Sequence, residues 1–245
     1  MKRYRLEWSD EFDYEGLPDP QKWSYDVGAR KWGNNEIQYY TEGLNASVKN
    51  SILTIEGRIE DYQDSPYTSC RLTTYQKRHF LYGRLEVAAK LPLAIGTWPA
   101  IWMLGVKHKE GVSWPLCGEI DLMEHVAHTP DQIHVSLHSE LYNLFKYNQM
   151  THVEVIPGIS DRFADYAVEW DPEGIAFFVD GKPFGKFAKH ADERDTSPRG
   201  WPFDEPFYLI LNMAIGGSWG GPVKIEDYPA RYEIDYVRYY SINEE

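Results

Sequence analysis

The chain has 245 residues, 26% charged and 42% hydrophobic, which is ordinary globular usage and excludes a disordered or collagen-like chain. With 25 basic against 38 acidic residues the formal net charge is −13, so nucleic acid, an anionic membrane surface and polyanions are disfavoured as partners, since each needs clustered Lys and Arg. The length suits one domain over residues 1–245, large enough to fold without staples. Cys70 and Cys117 are too few for a disulfide framework and read as two buried thiols, with a single bridge as the alternative. No apolar run is long enough to span a membrane, and the basic start lacks the apolar stretch of a secretory signal.

The predicted elements are strands. Ser51–Ile59 alternates, with Ile52, Thr54 and Glu56 against Leu53, Ile55 and Gly57. Tyr82–Leu91 alternates too, with Leu85, Val87, Ala89 and Leu91 on one side and Arg84, Glu86, Ala88 and Lys90 on the other. Tyr166–Trp170 and Ile175–Val179 flank Asp171-Pro-Glu-Gly174 and read as strand, four-residue turn, strand. Asp180-Gly181 then signals a two-residue hairpin. Phe207–Ile215 is an unbroken apolar run of strand length, and Tyr232–Tyr240 closes the chain as an aromatic-rich strand. Helical periodicity is hard to find. The pattern predicts an all-β jelly-roll sandwich of two curved antiparallel sheets with a concave cleft. Aromatic residues make up 15%, which suits a groove that stacks flat sugar faces; for Trp8 and Trp170 core packing is the expectation.

Gly118-Glu-Ile-Asp-Leu-Met-Glu-His125 places three acids among apolar residues. Burying unpaired carboxylates is costly, so such density in a strand needs a reason. Alternate residues share a strand face, so Glu119 and Asp121 lie together. Either Glu124 faces elsewhere, or a one-residue bulge between Asp121 and Glu124 returns it to the acid face. Three carboxyls on one face suit retaining glycoside hydrolysis, which needs an ionised nucleophile beside a protonated acid. A calcium site or a solvated acidic face are the rival readings.

The sequence resembles the laminarinase-type members of glycoside hydrolase family 16 over nearly its whole length. The resemblance rests on Trp8-Ser-Asp-Glu-Phe12, Trp32-Gly-Asn-Asn-Glu-Ile-Gln-Tyr-Tyr40, Ser69-Cys-Arg-Leu-Thr73, Gly96-Thr-Trp-Pro-Ala-Ile-Trp-Met103, Gly118–Glu124, Trp201-Pro-Phe203, Gly216-Gly-Ser-Trp-Gly-Gly221 and Asp235-Tyr-Val-Arg-Tyr239. It implies a β-jelly roll and an endo-β-1,3-glucanase, with Glu119 as nucleophile, Glu124 as acid/base and Asp121 as the assisting residue. It further implies that Trp98 and Trp102 stack on sugars and that Asn35 and Arg71 hydrogen-bond them on the non-reducing side. His138 matches a cleft histidine near the acid/base, and Trp219 a loop aromatic. A structural calcium is implied near Glu11, the backbone at Ser51 and Asp235; catalysis itself needs no cofactor. The implied partner is a β-glucan polysaccharide, the expected state a monomer, and the expected compartment extracellular. A lichenan- or agar-type specificity, a transglycosylase and a non-catalytic β-glucan-binding module are the alternatives. The stretches 26–31 and 139–153 depart from the family pattern, which bears on substrate fine-specificity.

Other clusters carry less. His125 and His128, or His134 and His138, lack a third ligand at metal spacing. The run His190-Ala-Asp-Glu-Arg-Asp195 reads as a solvated loop.

Overall fold

The computed structural model describes residues 3–190 and 192–243. Among them seventeen strands follow in order: β1 (Arg3–Asp10), β2 (Ser24–Tyr25), β3 (Gln38–Tyr40), β4 (Ala46–Lys49), β5 (Ile52–Tyr62), β6 (Ser65–Ser69), β7 (Arg71–Thr73), β8 (Gly83–Lys90), β9 (Thr97–Gly105), β10 (Glu119–Glu124), β11 (Gln132–His138), β12 (Met150–Val155), β13 (Ala164–Asp171), β14 (Gly174–Val179), β15 (Lys182–Ala188), β16 (Phe207–Ile215) and β17 (Ala230–Asn243). They form two stacked sheets of a jelly roll. The larger runs β15-β14-β13-β8-β17-β5-β6-β3, with β1 added on β17 and β4 on β5. The smaller runs β12-β11-β10-β9-β16-β7-β2. Every ladder is antiparallel except β3 with β6.

The main core lies between the sheets. Leu53, Ile55, Leu85, Val87, Ala89, Val168, Ile234 and Val237 from the larger sheet meet Ile101, Met103, Ile120, Leu137, Leu209 and Leu211 from the smaller. These are the core-facing members of the alternating strands. Trp170 is buried, as expected, while Trp8 packs edge-on against Trp23 and Phe80 at the core margin. β16 is buried along its whole length, which explains its unbroken apolar sequence. Its outer residues Tyr208 and Ile210 enter a second, smaller cluster with Leu104 and Cys117 on the far side of the sheet. Cys70 sits in the main core and Cys117 in that second cluster, both as free thiols, so no bridge joins them.

Two local readings change and one is met. Asp171 pairs with Gly174, so the strands run into the turn and only Pro172 and Glu173 lie outside the ladder. Asp180 and Gly181 both take positive φ (49° and 71°), the conformation a tight hairpin requires. Ala191 lies outside the described residues, and the run at 192–195 is more than a solvated loop. Asp192 caps a 3-10 turn over Glu193–Thr196 in a reciprocal capping box with Asp195, and Asp195 is buried.

Candidate active site

The outer face of the smaller sheet carries the acids. On the β9 side Asp121 faces Trp102 and Met123 faces Ile101, so Leu122 is the extra residue of a bulge. On the β11 side Asp121 faces Ser136 and Glu124 faces His134. Ile120, Leu122 and Met123 all enter the core, and the bulge returns Glu124 to the face of Glu119 and Asp121. The bulged alternative is therefore the one the chain adopts.

Each glutamate receives an indole N–H. Trp114 Nε1 donates to Glu119 Oε2 at 3.1 Å, and Trp98 Nε1 donates to Glu124 Oε1 at 3.1 Å. Asp121 is 3% exposed, and its Oδ2 has no hydrogen-bond partner. His138 Nε2 lies 3.4 Å from that oxygen and 3.8 Å from Glu119 Oε1. His138 thus sits beside the nucleophile candidate rather than against Glu124, because the ladder pairs it with Glu119.

Burial pushes the Glu119 carboxyl up to about 8; the charge of Asp121 adds to this, and His138 and Arg71 oppose it. Burial, then Asp121, likewise pushes Glu124 up to about 8, against His138 and the Trp98 N–H. Burial alone holds Asp121 well above the usual carboxylate range. The cluster therefore retains protons near neutrality. Arg71 favours the charged form of Glu119 and is absent from the causes acting on Glu124.

The flanking aromatic residues form two groups. Beyond Glu124, Trp98 meets Trp219 edge-on at 5.1 Å, and Trp219 meets the ring of His134 at 4.7 Å. Burial holds His134 down at about 4, so its ring is neutral at working pH. On the other side Arg71 lies between the rings of Trp32 and Trp102, 4.9 and 4.7 Å from their centroids, with Nε on Asp26 at 3.2 Å. Trp102 Nε1 donates to Asn212 (2.7 Å), Asn212 to the Tyr40 hydroxyl (3.0 Å), and that hydroxyl to buried Glu36 (3.1 Å). Asn35 is exposed in the left-handed region (φ 57°) of the neighbouring loop. That loop is pinned to the Trp219 loop by Ser218 N–H on the Asn34 carbonyl at 2.7 Å. Gly217 permits the approach: a Cβ there would stand 2.8 Å from the Asn34 oxygen.

Trp98, Trp102, Arg71, His138 and Trp219 thus surround the acid face, with Asn35 on its rim. Sequence reading missed Trp114, Asn212, Tyr40, Glu36, Trp32 and Asp26. Trp114, five residues before Glu119 in a Trp-Pro pair, was the most visible of them.

The calcium positions Glu11, Ser51 and Asp235 meet on the larger sheet, where Asp10 faces Val237 and Leu53 faces Ile234. Both Glu11 oxygens are taken by Arg238, at 2.9 and 2.7 Å, so that carboxylate does not fit a cation. Among the described residues the metal-ligating side chains that gather in a group of three are Glu119, Asp121 and His138.

The model of the glycosyl hydrolases family 16 matches residues 25–238. The chain belongs to glycosyl hydrolase family 16. A beta-glucanase of Rhodothermus marinus is 48% identical over 246 residues, 97% of this chain and 85% of that protein. The X-ray structure of the laminarinase from Rhodothermus marinus superposes with a TM-score of 0.93 at 47% identity, covering 100% of both chains. That of the endo-beta-1,3-glucanase from Pyrococcus furiosus gives 0.91 at 36% identity, covering 100% of this chain and 97% of the other. This family 16 chain is therefore a glycoside hydrolase, and its acids lie in the bulged strand of a jelly roll. No helix among the described residues is long and apolar enough to cross a membrane.

Proposed function

We propose that this protein is a retaining endo-β-1,3-glucanase that cuts internal bonds of laminarin-type β-glucans, acting as a monomer outside the cell. The observation that carries the reading is the bulged β10, which turns Glu119, Asp121 and Glu124 to one face between two aromatic groups. In this reading Glu119, oriented by Trp114, attacks the anomeric carbon while Glu124 gives its proton to the departing glycosidic oxygen. Asp121 holds proton density between the two and limits the negative charge beside Glu119. Glu124 then takes a proton from water, whose oxygen displaces Glu119 from the anomeric carbon. Arg71, Trp102 and Asn35 hold the non-reducing side of the chain. Trp98 and Trp219 stack near the acid/base. A neutral polymer suits a net charge of −13, and stacking on flat rings suits a repeating substrate.

Incubation with laminarin, lichenan, xyloglucan and agarose tests this reading. New reducing ends from laminarin, with a spread of oligosaccharide sizes from the first minutes, are expected. Release from agarose alone would refute the substrate assignment, and binding without any release would make the chain a recognition module.

A further inference from the structure

The connection from β11 to β12, residues 139–149, leaves three apolar side chains in solvent: Leu144, Phe145 (70% exposed) and Tyr147 (93% exposed). The loop beneath them is rigidly framed. Asn143, buried, donates through Nδ2 to the carbonyls of Ser139 and Glu140, both at 3.1 Å. Its Oδ1 accepts from Phe145 N–H at 3.1 Å, and its own N–H donates to Asn148 Oδ1 at 3.1 Å. Asn148 Nδ2 donates to the Leu141 carbonyl at 3.0 Å. Glu140 grips Arg199 with both oxygens, at 2.8 and 2.7 Å, and its carbonyl accepts from Lys146. Tyr147 is held at φ 53°, a region unfavourable for a bulky side chain.

A framed loop that holds aromatic rings in water pays for their exposure with no internal return, and such patches mark binding surfaces. The neighbourhood says what binds. Phe145 stands edge-on to Trp114, with centroids 5.4 Å apart and planes at 87°. Trp114 in turn holds Glu119 and lies 5.8 Å from the ring of His138. The loop leaves β11 at His138, directly opposite Glu119, so the patch is continuous with the acid face. It lies across β10 from β7, the strand of Arg71.

We propose that Phe145, backed by Trp114 and extended by Tyr147, is an added sugar-binding subsite on the leaving-group side of Glu119, taking one glucosyl ring of the β-glucan by stacking. The direction rests on the assignment of Arg71 to the non-reducing side under the proposed function. The aromatic platform itself does not depend on that assignment. A flat apolar ring meeting the C–H face of a pyranose is sequence-tolerant and needs no charge, which fits the exposed rings of Phe145 and Tyr147, while Lys146 between them is engaged on the Glu140 carbonyl.

The test is binding and turnover of laminari-oligosaccharides. In the Glu119→Gln background, Phe145→Ala should weaken affinity for laminarihexaose by about fivefold to tenfold and that for laminaribiose by less than about twofold. In the otherwise wild-type chain kcat/KM for laminarihexaose should fall in the same proportion. Phe145→Trp should restore both, and the Tm should not move, because the loop frame uses Asn143 rather than the ring. Unchanged affinity for laminarihexaose, or equal losses on the long and the short ligand, would overturn the subsite. A wild-type chain that binds laminarihexaose without cutting it would instead refute the enzyme reading while the affinity comparison still judges Phe145.

Discussion

Glu119→Gln loses roughly a thousandfold or more of kcat on laminarin and keeps its fold and its affinity for the polymer. The amide preserves the shape at Glu119 and the Trp114 contact to its Oε2 position, but it cannot form the glycosyl bond. The same change should raise stability. Glu119, Asp121 and Glu124 all have carboxyls raised above the ordinary range by burial. The folded chain therefore holds their protons more tightly than the unfolded chain does. Their favourable contribution is complete at acid pH, below the unfolded value near 4.5, and is lost as pH climbs toward about 8. A neutral amide escapes that loss. The Tm of Glu119→Gln should exceed that of the wild type by a few degrees at pH 8, and the two should converge near pH 4. Thermal melts across this range check the expectation; a variant less stable at pH 8 would mean that the carboxylate is a net stabiliser.

Glu124→Ala should cost about a hundredfold to ten-thousandfold on laminarin, where the leaving sugar oxygen needs a proton. The loss should shrink on a dinitrophenyl β-laminaribioside, whose leaving group departs without one. The pH profile is the sharper reading. Two carboxyls raised together give the wild type a bell, whose limbs belong to the coupled cluster rather than to single residues. The acid limb is lost activity as the nucleophile takes up a proton, and the alkaline limb is lost activity as the acid gives its proton away. Without Glu124 the alkaline limb should vanish from kcat/KM on the activated substrate. Its persistence would assign the acid to another group.

The longer strands were legible where alternation reports directly on one buried face, as in β5 and β8, while short strands such as β2, β3 and β7 carry too few residues to show a period. β16 did not alternate for a reason only the tertiary structure supplies: Tyr208 and Ile210 have a second cluster to bury in. The bulge in β10 was legible as one of two options, since three acids cannot share a regular strand face. The residue that takes it, Leu122, depends on pairing with β9, which the local sequence does not encode. Single-residue chemistry was readable at Glu119, Asp121 and Glu124. Partners were not. Asn212 meets Trp102 across 110 positions and Tyr40 across 172, and Glu36 joins only through Tyr40, so no spacing announces these contacts; Trp114, 5 positions from Glu119, lay within local reach. Arg71 shows the same limit. The resemblance implied a sugar ligand there, while its place between two tryptophans and on Asp26 makes it part of the packed floor of the site as well.

Double displacement by Glu119 and Glu124 on a β-1,3-glucan leaves a stereochemical record. Proton NMR of the first products released from laminarin tests it most directly, because two inversions at one anomeric carbon restore its configuration. The β-anomer of the new reducing end should appear first and then mutarotate. First appearance of the α-anomer would contradict double displacement.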